Sequence, residues 1–261
     1  MSSSEYSGRG DPRATLSLLW GLPAAASKPG RKPSLTPAHI GAAALALADE
    51  AGLEALTMRE LAGRLGVSTM AVYRYVPGKP ELLDLMVELA HAELPADLPG
   101  GGLVERLAEV ARDSWRLYLR HPWMLEISTY RAALGPNSLR KYERELQAVA
   151  DVGLSDLEMD LVASVVSDHV RGAARTALEG RLAAQRTGQT DAQWWAAHGE
   201  LLQQLVDPQR FPLATRVGAA AGAEYGATTA PERSFEFGLQ RLLDGIQTFV
   251  LSKRQKQPRR R

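Results

Sequence analysis

The stretch GVSTMAVYRYVPGK, residues 66–79, constrains this chain more than any other. A glycine and a valine precede a run of barely two helical turns, which stops at Pro77-Gly78-Lys79. An isolated helix below about a dozen residues is marginal in water because its nucleation is unfavourable. The segment is therefore helical only if its neighbours clamp it, and the sequence on either side must supply a small, tightly packed helical body.

The flanking sequence has the signals for that body. Thr36-Pro37 sets an N-cap with proline at the first helical position, Ile40, Ala44, Leu47 and Ala51 follow on one face, and Gly52 ends the helix. Thr57-Met58-Arg59-Glu60 opens a second helix as a capping box, with Met58, Leu61, Ala62 and Leu65 apolar. Gly66 permits a sharp turn, Val67 plugs the corner, and Ser68 caps a third, very short helix running to about Tyr75. A fourth helix begins at Pro80, carries Leu82, Leu83, Leu85, Met86 and Leu89, and runs to about Leu94. This spacing predicts a helix-turn-helix. The run PADLPGGG, residues 95–102, breaks the pattern and is the expected module boundary.

Beyond it only helical periodicity is found, so the expected fold is all-α. Helices are expected at Leu103–Arg120, Pro122–Leu134, Pro136–Val152, from Ser155-Asp156 through Ala177 and beyond, and over Pro231–Ser252, with RTGQTDAQ and AGAEYGATTA as loops. The domain division is then 1–34, a mostly disordered basic extension; 35–94, the helix-turn-helix domain with its connecting helix; 103–252, a second helical domain; and 253–261, a basic tail. Within the extension, Leu16, Leu18, Leu19 and Trp20 after Asp11-Pro12 also fit a short amphipathic turn that docks elsewhere.

Several function classes are excluded by composition. No apolar run approaches the 18 or so residues needed to span a bilayer. The start, Met1-Ser2-Ser3-Ser4-Glu5, has no basic segment ahead of an apolar one, so neither a signal peptide nor a membrane partner is expected, and the expected location is the cytoplasm. With no cysteine there is neither a disulfide nor a thiolate metal site. The five histidines, at 39, 91, 121, 169 and 198, are not at zinc-ligand spacing, and no nucleophile elbow, P-loop or glycine fingerprint is present. Neither an enzyme nor a bound cofactor or metal is expected. Charge is unevenly spread: residues 1–80 carry 9 basic and 6 acidic side chains, residues 81–252 carry 16 and 24, and residues 253–261 carry 6 and none. Positive ends around an acidic middle suit a polyanionic partner at the ends.

In a helix-turn-helix the second helix of the pair lies in the major groove of double-stranded DNA. Val72 and Val67 face inward, leaving Thr69, Met70, Tyr73 and Arg74 outward, with Met70 and Ala71 suited to a thymine methyl. Thr57, Tyr75 and Lys79 flank this set where phosphates run, and Lys28, Arg31 and Lys32 suit a minor-groove arm.

The segment LTMRELAGRLGVSTMAVYRYVPGKPELLDLM, residues 56–86, resembles the DNA-binding domain of the TetR family of transcriptional repressors, through its Leu-Gly-Val turn, its Tyr-x-x-Val ending and the Lys-x-x-Leu-Leu start of the next helix. The resemblance implies that Thr57 and Arg59 meet the DNA, that Ser68, Thr69, Met70, Ala71 and Tyr73 face bases, and that Tyr75 and Lys79 hold phosphates. Thr69-Met70-Ala71 replaces the glutamine-proline-threonine of the family's prototype and Tyr75 replaces its histidine, so the operator should differ. RHPWMLEI, SDHVRGAART and FEFGLQRLLDGI resemble the family's C-terminal ligand-binding and dimerisation domain. That implies a homodimer built on helices at about 157–185 and 232–251, with Phe235, Leu239, Leu242 and Ile246 as its expected interface. It also implies a small-molecule inducer. His121 matches a magnesium–tetracycline position, but Asp168 and Thr176 stand where a histidine and a glutamate belong, so an apolar or aromatic inducer is expected instead.

Trp115, Tyr118, His121, Trp123, Met124, Tyr130, His169, Trp194 and Trp195 are the candidates for its pocket, since small ligands need concave, mostly apolar sites with a few polar groups. Ordinary core packing is the competing reading of each. The rival functions are a helical ligand-binding protein or an enzyme whose helix-turn-helix no longer binds DNA.

Overall fold

The computed structural model describes residues 5–22, 35–227 and 229–256. The elements are β1 (Glu5–Tyr6), α1 (Pro12–Leu19), α2 (Pro37–Ala51), α3 (Met58–Arg64), α4 (Thr69–Tyr73), α5 (Lys79–His91), α6 (Leu103–Arg120), β2 (Ile127–Ser128), α7 (Pro136–Ala148), α8 (Asp156–Thr187), α9 (Asp191–Leu205), α10 (Pro212–Tyr225) and α11 (Pro231–Lys256). Single 3-10 turns lie at Leu53–Ala55 and Pro122–Leu125.

Local chemistry sets the boundaries of the N-terminal helices. Thr36 Oγ1 accepts from the His39 amide at 3.1 Å, Thr57 Oγ1 from Glu60 at 3.1 Å and Ser68 Oγ from Ala71 at 3.3 Å, each satisfying one free amide of a helix start. Gly66 takes φ +67°, a left-handed conformation that costs a side-chain-bearing residue about 1 kcal/mol or more. The turn it makes returns α4 against α3. Ile40, Leu56, Leu61, Val72, Val76, Leu82 and Met86 are fully enclosed, and they hold the five-residue α4 in a helix it would not keep alone.

From this head, α5 leads into the C-terminal body, where α6, α8 and α11 form the main layer and α7 closes over α5 and α6. Phe235 of α11 is stacked on Trp115 of α6, centroids 4.1 Å apart, and faces His169 of α8 at 5.7 Å. No helix among the described residues is long and apolar enough to cross a membrane.

Three expectations need correction. Residues 122–134 are not a helix: one 3-10 turn is followed by β2 and irregular chain. AGAEYGATTA, expected as a loop, supplies the last turns of α10 through Tyr225. The N-terminal extension, expected to be largely without structure, carries β1 and α1; β1 pairs in parallel with β2, Glu5 beside Ile127 and Tyr6 beside Ser128. The docking turn read at Leu16–Trp20 is part of α1, with Thr15 and Leu19 buried. The signal for a strand at 127–128 was absent because its partner lies some 120 residues away.

Candidate DNA interface and the linkage behind it

On α4, Val72 points into the core while Met70 is 73% and Tyr73 41% exposed, with Arg74 beside them in solvent. Thr69 is half-buried, as is Ala71, which packs on the core. Ser68 and Thr57 each use the hydroxyl as a cap acceptor, which leaves the O–H free to donate. Arg59 is exposed on the first turn of α3. Tyr75, expected at a phosphate, is half-buried and packs on the core. The surface so formed has a hydroxyl, a thioether, a phenol and cations on a rigid support, which suits a groove edge. Lys28, Arg31 and Lys32 lie outside the described residues. Of the basic tail, Lys253 pairs with Glu158, and Arg254 Nε donates to the Val152 carbonyl at 3.3 Å.

Lys79, the first residue of α5, pairs with Glu5 at 2.9 Å, both side chains about one-third exposed. An open groove of about 1020 Å³ lies behind them, lined by Glu5, Gly52, Glu54, Lys79, Glu126 and Arg175 among others.

Three carboxylates on α5, missed in the sequence, anchor that helix. Glu81 accepts from the Asp11 amide at 3.1 Å. Asp84 accepts from Ser7 Oγ at 2.6 Å and the Gly8 amide at 3.0 Å. Glu88 accepts from the Ser138 amide at 3.1 Å and Ser138 Oγ at 2.7 Å, and from the Asn137 amide, at the start of α7. Burial pushes the Asp84 carboxyl above the usual carboxylate range, despite the Ser7 and Gly8 donors. Acidic residues at 81, 84 and 88 inside an otherwise apolar helix were the available signal.

The nine ligand candidates do not form one pocket. His121 and Trp123 join the head to the body instead: the Trp123 indole donates to Asp49 of α2 at 2.8 Å, and the two ring nitrogens of His121 lie 2.9 Å from Asp49 and 3.1 Å from Glu93. Met124 is buried beside them in the 3-10 turn. His169 Nε2 is hydrogen-bonded to the Phe235 carbonyl at 3.0 Å, between α8 and α11. Tyr130 is 92% exposed. Trp194 and Trp195 sit on α9, edge to face at 5.0 Å. Trp115 is buried against the Phe235 ring, and of the set Tyr118 meets the polar interior of the body through Arg171.

In that interior, Arg171 donates to Thr129 Oγ1 at 2.7 Å and to the Tyr118 hydroxyl at 3.3 Å, Lys141 pairs with Glu145, and His91 meets Ser138 Oγ at 3.0 Å. Burial opposes the Lys141 charge, but Glu145 and Tyr118 together outweigh it and hold the ammonium above its ordinary value. Burial, with Lys141 and Arg171 nearby, pushes His91 down to about 3. The unfolded chain takes up this proton near pH 6.5 and the folded chain refuses it, so stability should fall as pH drops from about 6.5 toward 3. His91→Gln should flatten that slope in urea titrations at several pH values; an unchanged slope would show that His91 is not its source.

Phe235, Leu239 and Ile246, expected at a dimer interface, are buried within the chain, because their side of α11 is covered by α6 and α8. Leu242 is half-buried. A different apolar set is exposed: Leu157 at 77%, Leu161 at 61% and Val165 at 47% on α8, and Phe249 at 42% on α11. Leu161, Val165, Ile246 and Phe249 line one shallow groove of about 170 Å³ between the two helices.

Residues 40–86 match the family described as bacterial regulatory proteins, tetR family, and residues 94–250 match the tetracyclin repressor-like C-terminal domain. The chain is 40% identical over 255 residues to the HTH-type transcriptional repressor DrrR1 of Streptomyces coeruleorubidus, covering 97% of this chain and 92% of that protein. Among solved structures, ActR of Streptomyces coelicolor in complex with actinorhodin is similar at 26% identity and TM-score 0.68, covering 85% of this chain and 98% of that one. Its apo form is similar at 26% identity and TM-score 0.66, covering 84% and 99%.

Proposed function

This chain belongs to the TetR family of bacterial transcriptional regulators, and we propose that it is a homodimeric repressor, released from a near-palindromic operator by a small molecule. It is a ligand-responsive transcriptional regulator, and we assign it no catalytic step. The observation that carries the DNA reading is the clamped α4, whose five residues are spent on one buried valine and an exposed rim of Met70 and Tyr73. One reading helix per chain calls for two chains to cover two half-sites about 34–36 Å or somewhat more apart. The exposed apolar stripe on α8 and α11 supports a second copy packing there as a four-helix bundle.

For the inducer, the interior around Tyr118, Lys141 and Arg171 supports an aromatic or apolar molecule with a polar edge. Asp168 and Thr176, which stand where a histidine and a glutamate would hold a magnesium–tetracycline chelate, are exposed on α8, and we infer an inducer of another kind. Because α5 lies under the head and against α7 at the body, a change in that interior tilts α5 and changes the spacing of the two heads. A coupling of about 1–3 kcal/mol is typical for such a linkage.

The test is to select an operator from a random duplex library and measure variants on it. Tyr73→Ala and Thr69→Ala should each weaken specific binding by about 1–3 kcal/mol and relax sequence preference, while Lys79→Ala should weaken binding to every sequence. Wild-type operator affinity in Tyr73→Ala would place the reading surface elsewhere.

A further inference from the structure

The N-terminal segment of residues 5–20 is a strap that ties the connecting helix to one loop of the body. On the body side, the Ser7 amide donates to the Ser128 carbonyl at 2.9 Å, the Ala133 amide to Ser7 Oγ at 3.3 Å and the Trp20 indole to the Leu134 carbonyl at 3.0 Å. Toward α5, the strap fills the Asp84 and Glu81 acceptors. Gly8 is fitted to this path: its φ is +67°, and a Cβ there would stand 2.3 Å from the Arg131 carbonyl oxygen. From the first position of β1, the Glu5 side chain reaches Lys79, at the DNA-facing start of α5.

Glu5 thus offers Lys79 the kind of oxyanion a phosphate would offer. The contrast along the strap is what matters. Ser7 and Asp84 are almost wholly buried and form a firm anchor, whereas the Glu5–Lys79 pair is about one-third exposed and therefore weak enough to exchange.

The geometry points to an autoinhibitory contact in which the docked strap holds Glu5 on Lys79, and DNA must displace it to gain that cation. This rests on the reading of Lys79 as a phosphate contact. The displaced pair lowers affinity without changing which sequence is read, since phosphate contacts carry no base information.

Binding of the full chain to an arbitrary duplex of about 30 bp at about 50 mM salt, where phosphate contacts dominate, tests this. With Lys79 present, Glu5→Gln should tighten binding by between about 1.5-fold and fivefold, the range of an exposed ion pair. In the Lys79→Ala background the same change should do nothing. A gain of equal size in both backgrounds, or none in either while Lys79→Ala still weakens binding, overturns the contact and leaves Lys79 as a phosphate ligand. If Lys79→Ala has no effect with either residue at position 5, the reading of Lys79 fails and the contact with it.

Discussion

A chain carrying Leu161→Glu and Phe249→Glu is expected to fold normally, sediment as a monomer and lose at least about 100-fold in operator affinity, the scale of the effective-concentration gain from joining two binding modules. Leu161 is 61% and Phe249 42% exposed in the protomer, so a carboxylate at either position reaches solvent there rather than being buried. In a symmetric bundle the cost is different. Each substitution occurs twice around the two-fold axis, and four carboxylates would meet in a seam that excludes water, where unpaired charge is expensive. Circular dichroism should therefore be unchanged while sedimentation changes. Phe235→Ala is the contrasting variant, since Phe235 is sandwiched by Trp115 and His169 and its loss should destabilise the protomer itself. A double-glutamate protein that remained a dimer at micromolar concentration would put the interface on another face, and the exposed apolar residues of α9 and α10 would be the next to test.

That seam also marks the limit of what periodicity conveys. Residues 235, 239, 242 and 246 recur at helical spacing, and the spacing identifies an apolar stripe without naming its neighbour. Three of the four are used inside the chain; the exposed stripe lies chiefly on α8, whose Leu157, Leu161 and Val165 look in the sequence like any other core positions. By contrast the head was legible almost to the residue, because its signals are local: Thr36, Thr57 and Ser68 are capping acceptors for amides three residues on, and Gly66 takes the positive φ its turn needs. Of the strap only the docking turn at Leu16–Trp20 was legible. Its Ser, Gly and Pro content signals coil, and the groups that order it, Asp84, Glu81 and Ser128, are 70 to 120 residues distant. An aromatic residue's role was equally hidden, since tryptophan beside a histidine suits both a ligand pocket and a packed junction.

Trp123→Ala decides between those two roles, and the expected result is a loss of stability of about 3–5 kcal/mol, as for other large-to-small changes of a buried aromatic. Trp123 is 1% exposed, and its indole N–H is donated to Asp49, a residue of the head, from a turn that belongs to the body. Removing it empties a site at the junction and leaves Asp49 with His121 as its remaining partner there. A residue that lined only a ligand pocket would give another outcome, a weaker response to inducer with DNA binding intact. Here DNA binding should change without any ligand, because α2 would no longer be held against the Pro122–Leu125 turn. Trp123→Phe separates packing from the hydrogen bond. It keeps most of the buried ring and removes the donor, and Asp49 is open enough at 27% side-chain exposure for water to take the donor's place. Its cost should be nearer about 1.5–3 kcal/mol, in the range of one hydrogen bond to a charged group. Urea midpoints for the three proteins, read beside their operator affinities, supply the comparison. If Trp123→Ala unfolds at the wild-type midpoint, the junction is held elsewhere and the indole returns to the list of ligand contacts.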